Sequence, residues 1–264
     1  MEKLLIFMLM LISTLPASAK VVSGARDSSG VKFGIRESFT LSNMNQNPEL
    51  FALLFNNRGD VLISTRLQPG FAAGFALDIP VLESLHLNLE LKYVMKGQRV
   101  IANVDAGSLD NDFTLFERVG YLELPIQPQF RLNFNENTHL NFNAGPYFAF
   151  ALHASECHVA HYEESGKKFD VIEKLYVLSG GKADGPGLAN DPVYASKADL
   201  LRFDMGLAFG LDLVVKKFHI GASYELGLKN NNAKSFIETP GYIANPFVEP
   251  IKNRTFCFSL GWDF

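Results

Sequence analysis

Residues Asn253 to Phe264 read N-R-T-F-C-F-S-L-G-W-D-F. Phe256, Phe258, Leu260, Trp262 and Phe264 share one parity with Arg254, while Thr255, Cys257, Ser259, Gly261 and Asp263 occupy the other. Successive side chains of a β-strand point to opposite faces, so the stretch is a strand with one bulky apolar face and one small or polar face. A soluble sheet would press the apolar face onto a core. The closing strand of a membrane barrel turns that face outward to lipid instead.

The start of the chain bears on that choice. Lys3, the apolar run Leu4–Ile12 and the Ala17-Ser18-Ala19 site before Lys20 form an export signal, residues 1–19. Its apolar core is too short to cross a bilayer as a helix, and no later run approaches the roughly 18 residues a helical span needs. An exported chain without membrane helices belongs to the periplasm, the exterior or the outer membrane. With 264 residues, the chain suits one large all-β domain or two smaller ones. A net charge of −4 and the lack of a basic stripe give no footing for nucleic acid. The 23 Phe and 21 Gly against one Trp suit a narrow barrel, with bulk outside and little volume inside.

Seven further segments repeat the alternation. The first sets Val31, Phe33 and Ile35 against Lys32, Gly34 and Arg36, and the second runs through Phe71, Phe75, Leu77 and Ile79. In the third, Leu85, Leu87, Leu89, Leu91 and Tyr93 oppose His86, Asn88, Glu90 and Lys92. The fourth carries Leu122, Leu124, Ile126 and Phe130; the fifth Leu140, Phe142, Phe148 and Phe150. The sixth runs from Phe203 to Leu213 and the seventh from Phe218 to Leu228. With the closing strand these make eight.

Connections alternate long and short. Tight turns fall at 80–84, 133–138 and 214–217. Long segments fall at 43–68 (with room for a short helix at Pro48–Phe55), 96–118, 153–199 and 229–252. About ten residues per strand, with long loops on one side and short turns on the other, is the asymmetry of outer-membrane barrels. The expected fold is therefore all-β: an eight-stranded antiparallel up-and-down transmembrane barrel over residues 20–264 with long outer loops. Pro125, Pro128 and Pro146 cannot donate to a ladder, and a closed barrel has no edge to hold them, so a bulge or a water-filled gap is expected there.

Several stretches carry a family likeness: K-G-Q-R at Lys96–Arg99, Y-L-E-L-P-I from Tyr121, A-G-P-Y from Ala144, F-D-M-G-L-A-F-G from Phe203, S-Y-E-L-G-L from Ser223 and the closing L-G-W-D-F. Together they resemble the PorT-like family of bacterial outer-membrane barrels. The resemblance implies an outer-membrane location and a secretion-accessory role like that of the family's namesake. It would make outer-membrane lipid and the barrel-insertion machinery, through the strand ending at Phe264, the first partners. Secretion-system or surface partners would follow through the loops.

The polar parity carries Lys32, Arg36, Lys92, Arg131 and Arg202 with Asp78, Glu90, Glu123, Asp204, Asp212 and Glu225. These form either a charged conduction path or a plug of ion pairs. Eight strands leave a lumen just wide enough for side chains, which favours the plug. The expected function is thus a non-enzymatic structural, binding or secretion-accessory barrel, with a porin-like channel for small solutes as the alternative. On a helix, His153, Cys157 and His161 would share a face beside His158, a spacing able to hold zinc, but no complete four-ligand set is evident. No catalytic, cofactor or metal residue is assigned. Ser155, His153 and Glu156 lack the turn that exposes a nucleophile. Cys157 and Cys257 lie too far apart in the expected topology for a disulfide, which leaves Cys257 as an interior filler.

Overall fold

The computed structural model describes residues 30–44, 60–105, 110–164, 167–175, 183–184, 200–231 and 251–264. Its strands are β1 (Lys32–Asn43), β2 (Asp60–Leu82), β3 (Leu85–Asp105), β4 (Asp110–Asn135), β5 (Thr138–Glu164), β6 (Lys167–Leu175), β7 (Ala183–Asp184), β8 (Phe203–Val215), β9 (Phe218–Gly227) and β10 (Arg254–Asp263). Eight of them close a ring in the order β1-β2-β3-β4-β5-β8-β9-β10, every pair antiparallel, with β10 returning to β1. The remaining two, β6 and β7, extend the sheet outward from β5. Among the described residues there is no helix.

The alternation seen in the sequence is the barrel's inside and outside. Phe33, Phe39, Phe71, Phe75, Leu91, Phe150, Ile220, Leu260 and Trp262 are all exposed. Their neighbours of opposite parity, such as Thr40, Ala76, Glu123, Tyr147, Asp204 and Glu225, are buried. The interior therefore holds polar and charged side chains, while the bulky apolar ones ring the outside. That inversion of a soluble protein is stable only with hydrocarbon against the wall.

Three expectations are corrected. The segments 43–68 and 96–118 were expected as loops, yet Asp60–Leu67 pairs with Gln98–Asp105, and Gln98–Asp105 with Asp110–Glu117. These residues continue β2, β3 and β4 beyond the wall as a projecting sheet. The stretch 153–199 likewise begins as strand: β5 runs on to Glu164 and is joined by β6 and then β7. The signal at 1–19, the possible helix at Pro48–Phe55 and most of 229–252 lie outside the described residues.

The fifth strand appeared to end at Phe150 because of a bulge. Tyr121 pairs with Ala151 and Gly120 with His153, which leaves Leu152 unopposed. Leu152 and His153 both point outward and Ala154 is buried, so the parity resets by one residue.

The prolines produce a gap in pairing. Between β4 and β5 the ladder runs to Pro125↔Tyr147 and resumes at Gln129↔Asn143 with unchanged register. Pro128 and Pro146 lie in the unpaired interval, so the ladder lapses without a bulge. Backbones stay close across it: a Cβ on Gly145 would lie 2.1 Å from the Ile126 carbonyl oxygen. On the inner side is a cavity of about 30 Å³ lined by Glu90, Lys92, Gln127, Asn143, Asp212 and Glu225 among others, polar and large enough to hold water.

Candidate functional site

Among the described residues, titratable side chains concentrate in the lumen. β3 and β9 stand four strands apart in a ring of eight, on opposite sides of the barrel. Side chains from these two walls meet in the middle. Lys92 Nζ lies 2.8 Å from Glu225 Oε1, and Lys96 Nζ lies 2.8 Å from Glu225 Oε2. Glu123 on β4 completes the cluster, 2.6 Å from Lys96 and 3.3 Å from Lys92. Glu90 is 3.9 Å from Lys92. Buried ions survive only when paired and hydrogen-bonded, and here each lysine holds two carboxylates within 3.3 Å.

Aromatic and amide groups finish this tier. The Lys96 ammonium sits 4.3 Å from the centre of the Tyr147 ring and 5.7 Å from that of Tyr121, a favourable setting for a desolvated cation. Tyr147 donates its hydroxyl to Asp204 at 3.2 Å, and Asn253 donates to the same carboxylate at 2.7 Å. Asn253 also reaches the Tyr121 hydroxyl at 3.3 Å, a second contact across the lumen. Cys257 is buried with its sulfur 3.8 Å from Glu225. Toward the projecting sheet an apolar cap follows, with Met44, Val94, Val119, Ala151, Ala154 and Leu200 in one buried cluster.

A second polar tier lies toward the short turns. Arg36 donates to Asp263 at 2.9 Å, and His219 Nε2 lies 2.7 Å from the other oxygen of that carboxylate. Asp78 bridges His86, at 2.6 Å, and Arg131, which also donates to Asn141 at 3.1 Å. Asn143 donates to Asp212 between the tiers. His86, His139 and His219 belong to this tier and are buried. Their even spacing with the other polar positions was visible in sequence, but nothing there paired them.

Other candidates are placed differently. Arg202 lies just before β8 and donates to the Ala151 carbonyl at 3.2 Å, at the edge of the cross-lumen cluster. The zinc spacing assumed a helix, whereas His153, Cys157, His158 and His161 all lie on β5. Four residues along a strand span about 13 Å, so His153 and Cys157 cannot share an ion. Instead, His153 points outward, with Nε2 2.8 Å from the Tyr93 hydroxyl. The same strand puts Glu156 on the face opposite Ser155 and His153, which breaks the Ser–His–acid arrangement. Cys157 and Cys257 are both free.

One residue went unread in the sequence. Glu37 follows Arg36, the last residue of the first alternating segment, and occupies the outward parity of β1. The alternation of Phe33, Ile35, Glu37, Phe39 and Leu41 is unbroken in position but broken in polarity.

An apolar outer wall, a bridged polar lumen and a closed ring of eight strands define an outer-membrane β-barrel. The chain belongs to the outer membrane protein beta-barrel domain family, whose model matches residues 22–232. It sits in the outer membrane of a Gram-negative bacterium. No curated protein sequence matches it. Among solved structures it is similar to Ail, the attachment invasion locus protein of Yersinia pestis, at 13% identity over 89% of this chain and 97% of that one, with a TM-score of 0.32. Neisserial surface protein A is similar at 10% identity over 89% and 96%, with a TM-score of 0.29.

Proposed function

We infer that the protein is a non-enzymatic, plugged outer-membrane barrel that acts as a binding or secretion-accessory component, as the PorT-like resemblance implies. The observation that carries this reading is the contact of Lys92 and Lys96 with Glu225 from opposite walls of the lumen. A solute path through that tier would have to break ion pairs that are buried and span the lumen. The barrel then serves as an anchor, and its working surface is what rises above it: the projecting sheet of β2 to β7 and the segments that join its strands. Loops and extensions on a rigid scaffold are where recognition residues concentrate.

Two further assignments belong to the same reading. Residues 1–19 act as the export signal, and the closing strand ending at Phe264 is the feature read by the barrel-insertion machinery. The partners above the membrane are a secretion component or a surface molecule.

Planar-bilayer recording of the purified protein separates this function from a porin-like channel. A plugged barrel gives no steady ohmic openings, whereas a channel gives them at every membrane potential. Excision of residues 157–199 tests the binding role independently. The truncated barrel is expected to assemble with normal heat-modifiable migration while secretion or surface phenotypes are lost; assembly with no phenotype removes the support for the accessory role.

A further inference from the structure

β1 offers five outward positions: Phe33, Ile35, Glu37, Phe39 and Leu41. Glu37 is the middle one, and it is exposed. It faces Ala73 on β2 and Leu260 on β10, the two strands that flank β1. Ile35, Phe39, Phe71, Phe75 and Leu260, all exposed, surround it. Among the described residues it makes no hydrogen bond or ion pair, and no other outward position between the two ends of the wall carries a charge.

Hydrocarbon is a poor place for a carboxyl. Charges on the lipid face of a barrel are destabilising, most of all near the midplane. Leu41, at the outer end of the row, is about 13 Å further along the strand, farther than a glutamate side chain reaches, so Glu37 cannot snorkel to the headgroups. Intramembrane acids are typically satisfied by pairing with one another or with another protein group. The wall around Glu37 presents no Lys or Arg among its described residues. Two carboxyl groups that meet away from water share a hydrogen bond, and a second copy of this wall brings an identical group at the same height.

We propose that Glu37 marks the twofold interface of a homodimer within the membrane, in which the β1 faces of two barrels meet and their Glu37 side chains hydrogen-bond reciprocally. An isologous contact needs one self-complementary patch, and this is the patch the wall supplies. Ala73 beside Glu37 is exposed and small, and small residues let membrane elements approach closely. Phe71, Phe75 and Phe39 border the hollow and supply the apolar contact around the hydrogen bonds.

The test uses the full mature chain refolded into phosphatidylcholine vesicles, with donor and acceptor fluorophores on Glu136→Cys in a Cys157→Ser background. Energy transfer is read as lipid is added. The unsubstituted wall is expected to dimerise, E37L to associate roughly tenfold more weakly, the scale of a hydrogen-bonded pair in a membrane, and E37Q, which keeps a donor and an acceptor, to stay near the starting value. Oxidation of A73C should trap a disulfide-linked dimer, while L124C, away from this face, should not. E37L places an apolar residue against lipid, so it folds, and heat-modifiable migration verifies this. A barrel that is monomeric at every lipid ratio overturns the proposal, as would be the case if a cationic segment of another protein were the occupant. So does an E37L barrel that dimerises as well as its parent, or a dimer that cross-links through L124C and not A73C.

Discussion

The two halves of this barrel are of unequal height. β1, β8, β9 and β10 are 12, 13, 10 and 10 residues long and stop near the ends of the apolar band. β2, β3, β4 and β5 are 23, 21, 26 and 27 residues long. Their lower parts are built like the short strands, with Phe and Leu outside and polar or small residues inside. Their upper parts obey no such pattern. Lipid imposes polarity on one face of a strand, and a filled lumen imposes it on the other. Above the membrane neither constraint acts, and backbone pairing with one small apolar cluster keeps the sheet.

That contrast predicts graded responses to substitution. The largest effect is expected inside the wall: Glu225→Ala strips Lys92 and Lys96 of a shared acceptor and leaves desolvated cations behind. Unfolding in urea should show a loss of about 3–5 kcal/mol, the cost of breaking a buried pair from one side. Next comes the lipid face at mid-height. Phe75→Lys should cost about 2–4 kcal/mol by the depth dependence of cations on barrel walls. The matching change on the projecting sheet, Leu62→Lys, should stay within about 0.5 kcal/mol, because Leu62 is 76% exposed and water bathes it. Equal penalties for Phe75 and Leu62 would erase the distinction between the halves.

The same contrast explains which parts could be read from the sequence. Leu85 to Tyr93 announce a strand because hydrocarbon demands Leu at every second position. Val100 and Leu115 are buried too, packed with Ile63 in a small cluster of the projecting sheet, but polar residues interrupt them on both faces and the run reads as a loop. At Leu152 the bulge shifted the parity by one, so a continuing strand resembled an ending one. The lumen was legible as composition only. Alternation placed Lys92, Glu123 and Glu225 inside, yet which lysine meets which carboxylate depends on β3 and β9 facing each other across the ring. Lys96 was missed as a member because it lay past the last clean alternation. Glu37 was missed for the opposite reason: a charge at an apolar parity looks like the end of a strand.

The prolines show pattern and structure agreeing on cause, and of the two forms expected, a bulge or a gap, the structure takes the gap. Pro125, Pro128 and Pro146 had to interrupt the ladder, and they do. The register across the gap is kept, however, because Gly145 allows β4 to approach and the small polar cavity inside can supply water to the unpaired groups.

The most direct test of the whole account is a nitroxide scan along β2 in lipid vesicles, reading collisions with oxygen and with a water-soluble nickel chelate. From Phe71 to Asp78 the account predicts oxygen accessibility that rises and falls with a period of two, highest at Phe71, Phe75 and Leu77, with the nickel chelate excluded there. From Asp60 to Leu67 it predicts easy access for the chelate and no such alternation in oxygen. Chelate reaching Phe75 as readily as Leu62, or an oxygen alternation continuing unbroken to Asp60, would contradict it.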